Sequence, residues 1–150
     1  TLTGDPVQGA TLFRNNCTVC HYLRGQGSNV GPNLGSLTDK TPSDFLAAIL
    51  DPNAAVEPRF VSYEIFLKDG RSLSGIIKSE TATAITLAAG SGVTELLKPS
   101  EVLKVQASAP SLMPEGMEQS VTPQLMADLI AFLRNTSTNK AGQEALKQSN

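Results

Sequence analysis

Histidine occurs once in this 150-residue chain, cysteine twice and tryptophan not at all. A lone imidazole leaves no second histidine to act as a base elsewhere, and no GxSxG-type elbow is present, so hydrolase chemistry is not indicated. The glycines of GQGSNVG (25–31) do not follow a strand, as a dinucleotide fingerprint requires. No apolar run reaches the roughly 18 residues of a membrane span. The start of the chain also lacks the charged-then-apolar pattern of a signal peptide, so the reading is a mature protein or an excised domain. Twelve basic residues face fourteen acidic ones, for a formal net charge of −2, and no Lys/Arg-rich stretch offers phosphate neutralisation; a nucleic-acid partner is excluded. With 40% hydrophobic and 17% charged residues, the chain can bury one core and is expected to form one domain over 1–150.

Both cysteines and the histidine fall within CTVCH, Cys17 to His21. Four chemistries use cysteines two residues apart: zinc, thiol redox, a disulfide and haem attachment. A closed zinc site needs four N/S ligands, and this chain has three such residues, two of them adjacent. A thioredoxin-like motif would open a helix after a strand, but the preceding GDPVQGATLFRNN reads as a helix. A disulfide across so short a loop stabilises little. Haem attachment fits: on one helical turn residues i and i+3 face the same way, so Cys17 and Cys20 can each form a thioether, with His21 under the iron. The plainer alternative is a pair of buried thiols beside a core histidine.

Three segments start with an N-cap candidate and a proline, at Asp5, Thr41 and Thr122, and each predicts a helix. In the first, Gln8 stands at capping-box spacing from Asp5. The second, about 42–51, carries Phe45, Leu46, Ile49 and Leu50 on one face and stops before Pro52. The third, about 123–134, carries Leu125, Met126, Leu129, Ile130 and Leu133, with Phe132 beside them. Between the second and third the apolar period changes to two. Val61, Tyr63, Ile65 and Leu67 alternate against Ser62, Glu64 and Lys68 ahead of an Asp69-Gly70 turn, a second pair of strands flanks AGSG, and EVLKVQA supplies a fifth. The fold class is therefore α+β, with 60–106 an inserted small antiparallel sheet or partial barrel that resembles Sm- and SH3-like barrels. The tail 136–150 is polar, with few anchors, and reads as a short helix or loose end.

An iron held by His21 has a second axial position, and methionine is the ligand that raises the potential of cytochrome-type haems. Met126 lies within the third helix, where a thioether is more often core filler. Met113 and Met117 lie in the preceding loop, and Met113 is favoured because Pro114 stiffens the chain beside it. An open site or a lysine ligand is the remaining option. Arg24 and Arg59 are candidates to meet haem propionates, each more simply read as a solvated surface arginine.

GATLFRNNCTVCH, GPNL and the spacing of LMP before a terminal helix resemble class I c-type cytochromes over 5–39 and 107–135. The strands between depart from ordinary members of that family and make the chain resemble the planctomycete-type haem-binding domain, a c-type cytochrome module found at the end of larger dehydrogenase-like or sensor-like proteins. The resemblance implies a cytochrome c helical fold of three or more helices around one covalent haem c. Gly9 and Phe13 would cross the last helix near Phe132, and the Pro32 carbonyl would accept the Nδ1 proton of His21. Leu34 would pack on the haem face. The expected cofactor-binding set is thus Cys17, Cys20, His21, Pro32, Leu34 and Met113, with His21 and Met113 on the metal.

The function read from these residues is outer-sphere electron transfer, as a carrier or as a module of a larger oxidoreductase, without enzyme chemistry of its own. A redox partner protein is implied, in contact near an exposed haem edge. The alternative is a haem-based gas or redox sensor whose sixth ligand is displaceable. Thioether attachment takes place outside the cytoplasmic membrane, so a periplasmic or exported location is expected.

Overall fold

A computed structural model describes residues 2–108 and 111–135 of the chain. The expected tail, 136–150, lies outside the described residues. Helix α1 spans Pro6–Asn16, α2 Pro42–Leu50 and α3 Pro123–Asn135. Between α2 and α3 run strands β1 (Ser62–Leu67), β2 (Ser72–Glu80), β3 (Ile85–Ala89), β4 (Thr94–Leu97) and β5 (Val102–Ala107).

Each helix begins at its proline because the ring presets φ and the missing N–H falls where no intrahelical partner exists. The Asp5 carboxylate accepts from the Val7 amide at 2.8 Å. The capping box with Gln8 does not form: the Asp5 amide donates instead to Asp128 Oδ1 at 2.8 Å, across 123 residues of chain. A long-range carboxylate on α3 thereby displaces the local partner. A reciprocal box does close α2, where Thr41 Oγ1 accepts from the Asp44 amide and the Asp44 carboxylate accepts from the Thr41 amide.

Helices α1 and α3 cross with their backbones nearly touching. A Cβ on Gly9 would lie 2.0 Å from the Asp128 carbonyl oxygen and 2.8 Å from Phe132 Cβ, so only glycine allows this approach. The rings of Phe13 and Phe132, both fully buried, pack with centroids 5.5 Å apart at 45°. Around them lie Ala10, Leu23, Met126, Leu129, Ile130 and Leu133. Met126 is core filler, as its place on the helix foretold. The expected apolar face of α2 divides: Phe45 and Ile49 enter the core, whereas Leu46 and Leu50 remain 39% and 38% exposed. A nine-residue helix lying against α3 on one side covers only a narrow stripe.

The strands form one antiparallel five-stranded sheet in the order β4-β3-β2-β1-β5. Asp69-Gly70 turns β1 into β2, with Gly70 at φ 93°, and a turn over Gly90–Gly92 joins β3 to β4. Ile65, Leu67, Ile85, Leu87 and Leu97 build a core of the sheet's own. The first and last strands are neighbours, with Tyr63 opposite Ala107. At this neck the Ser62 and Ser108 hydroxyls meet at 3.0 Å, 46 residues apart in sequence.

Candidate functional site

The CTVCH segment continues directly from α1 as a tight turn. Cys17 N donates to the Phe13 carbonyl at 2.8 Å and His21 N to the Cys17 carbonyl at 2.8 Å, which brings the two thiols and the imidazole onto one short stretch of backbone. The glycine-rich loop then folds back on this stretch. Ser28 N bonds Thr18 O at 3.0 Å, Gly31 N bonds Cys20 O at 2.8 Å and Leu34 N bonds Tyr22 O at 3.0 Å. Gly27 sits at φ 91°, and a Cβ there would lie 2.0 Å from the His21 carbonyl oxygen. The loop is therefore glycine-rich because it wraps the CTVCH backbone itself.

This wrapping aims the histidine. His21 Nδ1 is 2.8 Å from the Pro32 carbonyl oxygen. A carbonyl only accepts, so Nδ1 carries the proton and the Nε2 lone pair is left for a metal. Burial pulls the His21 pKa below its ordinary value, and the bond to Pro32 opposes that shift without reversing it. The imidazole is neutral at pH 7. Burial, followed by the neighbouring Cys20 charge, pushes the Cys17 thiol up to about 11, and burial raises Cys20 as well. Both cysteines are free of disulfide.

Beside His21 opens an apolar cleft enclosing about 1070 Å³ of space, part of it continuous with solvent. Of the residues singled out from the sequence, Cys17, His21, Pro32, Leu34 and Met113 all line it. Cys20 is not among the lining residues: it packs against the cluster of Val30, Ile76 and Ala88, its Sγ 3.6 Å from the Gly90 carbonyl oxygen. Met113 and Met117 both reach the cleft. Their loop is tied at both ends of its turn: the Met113 amide donates to Ser111 Oγ at 3.0 Å, and Asn53 Nδ2 donates to Glu115 Oε1. Gly116, at φ 82°, starts the short 3-10 turn that carries Met117.

The fit to a flat, apolar, covalently held cofactor is good on this chain's own geometry. An oriented neutral imidazole, an unpaired thiol and two thioethers border one apolar cleft, and a side chain at Gly31 would crowd the imidazole at 3.0 Å from Cε1. Among the described residues no cluster of three His, Cys, Asp or Glu side chains offers a different metal site. Arg59 pairs with Glu57 at 2.7 Å and stacks on Phe60 at 5.0 Å. Arg24 adopts φ 44° in the tight turn closed by Leu23 and Gln26.

Sequence reasoning missed the contribution of the sheet. Phe60, at the entrance to β1, and Ile76 of β2 both line the cleft, together with Leu112. Alternation along β2 sets Ile76 with Ser72, Ser74 and Lys78, opposite Leu73 and Ile77 of the sheet's own core, so nothing local marks it as a wall of the cleft.

Comparison with known proteins agrees with this geometry. The cytochrome c family model matches residues 6–64. Cytochrome c from Arabidopsis thaliana is 46% identical over 37 residues, 24% of this chain and 33% of that protein. Cytochrome c from Cochliobolus lunatus is 46% identical over 35 residues, 23% of this chain and 32% of that protein. The chain therefore spans about a third of the length of these curated relatives. The second stretch of expected resemblance, 107–135, falls outside the matched range, and its tie to the first is the packing of α3 on α1. Over residues 6–64 the chain is therefore similar to the cytochrome c family, and covalent haem c is the cofactor that this similarity implies.

Proposed function

We propose that this chain is a monohaem c-type cytochrome of the planctomycete-type haem-binding kind, transferring electrons as a carrier or as the redox module of a larger oxidoreductase. The observation that carries the reading is the convergence of Cys17, a Pro32-oriented His21 and Met113 on one apolar cleft. Cys17 and Cys20 provide the two thioether sulfurs. His21 Nε2 and Met113 Sδ would hold the iron, with Pro32 fixing the tautomer of His21 and Leu34 offering an apolar contact to the ring. When bound, haem c supplies a one-electron ferrous/ferric couple.

The residues of this chain do the rest. Phe45, Ile49 and Leu129 keep the cleft apolar, which limits the water that would reorganise with each electron. The hydrogen bonds along 28–34 hold His21 in one pose, ready for the metal it would bind. Residues 60–106 are an insert in the cytochrome chain. A redox protein is the partner, the location is periplasmic or exported, and no catalytic residue is assigned. Among the described residues no helix is long and apolar enough to cross a membrane.

The test is to mature the chain in an exporting host, then record its mass together with oxidised and reduced absorption spectra. The expected result is one covalent haem and a six-coordinate, low-spin spectrum in both states. Colourless protein at the apoprotein mass refutes the proposal. A five-coordinate ferrous form that binds carbon monoxide rapidly replaces electron transfer with the sensor reading.

A further inference from the structure

Lys78 belongs to β2, yet its strongest contact is outside the sheet. Its Nζ donates to the Val30 carbonyl at 2.8 Å, across 48 residues. Val30 is buried, lines the cleft and begins the Val30-Gly31-Pro32 stretch, whose two flanking groups are both committed to the site. The Gly31 amide bonds Cys20 O, and the Pro32 carbonyl bonds His21 Nδ1. The same ammonium lies 5.2 Å from the centroid of Phe60, a cleft residue that also carries Arg59 at 5.0 Å. Two cations thus converge on one aromatic wall of the cleft, and one of them braces the loop that aims the imidazole.

We propose that Lys78 is a positioning residue for His21: from the sheet it fixes the Val30–Pro32 segment by one charge-assisted hydrogen bond, and it holds a positive charge against the Phe60 wall of the cleft. Burial, followed by the charge of Arg59, lowers the Lys78 pKa from its ordinary high value, in keeping with an ammonium drawn against protein rather than extended into water. The sheet is then a working part of the site. Without the brace, the Pro32 carbonyl has only its neighbours' bonds to fix it, and the imidazole tilts more freely. Without the charge, the ferric state gains relative to the ferrous one, because a nearby cation opposes the more positive form.

This inference rests on the haem reading, and its test uses the red, matured protein, so loss of the haem reading appears separately as absence of colour. Three proteins are compared: wild type, Lys78→Arg and Lys78→Met. Lys78 is exposed and Met keeps its aliphatic stem, so the fold is retained. NMR hydrogen exchange in the ferrous state reads the Gly31 amide and the His21 Nδ1 proton, and a redox titration reads the midpoint. In Lys78→Met both protons exchange severalfold faster, and at the wild-type midpoint the ferric-to-ferrous ratio rises on the order of threefold, the scale of one charge at intermediate dielectric. Lys78→Arg stays near wild type on both readouts. Exchange rates in Lys78→Met equal to wild type overturn the proposal, as does a potential unchanged in both variants.

Discussion

The rings of Phe13 and Phe132 stack obliquely 5.5 Å apart at the point where Gly9 lets α1 and α3 approach to backbone contact. This crossing holds the amino-terminal segment, with its cysteines and histidine, against the carboxy-terminal helix. Phe132→Ala is expected to cost about 3–5 kcal/mol, the range for emptying an aromatic core position. Gly9→Ala should destabilise severely as well, since its Cβ would overlap the Asp128 carbonyl. Denaturant unfolding of the matured protein measures both; a loss below about 1 kcal/mol at either position contradicts the packing.

Gly31 permits the imidazole its position. A methyl group there would lie 3.0 Å from His21 Cε1 and 3.3 Å from Nδ1. Gly31→Ala is therefore expected to rotate the ring, lengthen its bond to Pro32 and shift the reduction potential. Gly90→Ala, where an added methyl meets nothing within 4 Å, should leave the potential unchanged. Redox titration of the pair decides.

Met113 and Met117 both border the cleft, and the sixth-ligand assignment separates them. Met113→Ala is expected to abolish the low-spin spectrum, whereas Met117→Ala should preserve it and alter stability only modestly. The reverse pattern transfers the ligand to Met117.

The capping box of α2 gives a pH dependence. Hydrogen bonds from the Thr41 amide and hydroxyl hold the Asp44 carboxyl below its ordinary value of 3.8. The folded state thus binds its proton later than the unfolded state does. The associated stability is present above about pH 4 and is lost as pH falls below 3.8 through the lower folded value. Asp44→Asn should flatten this part of the stability profile between pH 5 and 3. Thr41→Ala is expected to cost about 1 kcal/mol at neutral pH.

Much of the architecture can be read from local signals. Proline after a capping residue located three helices to within a residue or two, because both features act on their own first turn. Asp69-Gly70 located a hairpin because a turn residue at positive φ is a local demand. The CTVCH spacing, with too few ligands in the chain for a closed zinc site and a helix ahead of it, pointed to haem attachment. What stayed hidden depends on which surfaces meet. Asp5 looked like half of a box with Gln8, and only the packed helices bring Asp128 to its amide. Leu46 and Leu50 share the periodicity of Phe45 and Ile49, yet among the described residues they stay exposed. The approach of β2 to the histidine loop, through Lys78 and Ile76, is tertiary and has no sequence period.

The neck at Ser62 and Ser108 has a bearing on how the molecule assembles. Strands β1 to β4 pair as successive hairpins that each close only a short loop, and β5 then returns to β1 to shut the neck. Once it has formed, the 46-residue excursion shrinks to a single short step for the rest of the chain. The entropy of bringing α1 to α3 then scales with a much shorter effective connection than the 123 residues that separate Asp5 from Asp128. An extra module that returns to its own starting point in this way can lengthen a protein without delaying the docking of its ends.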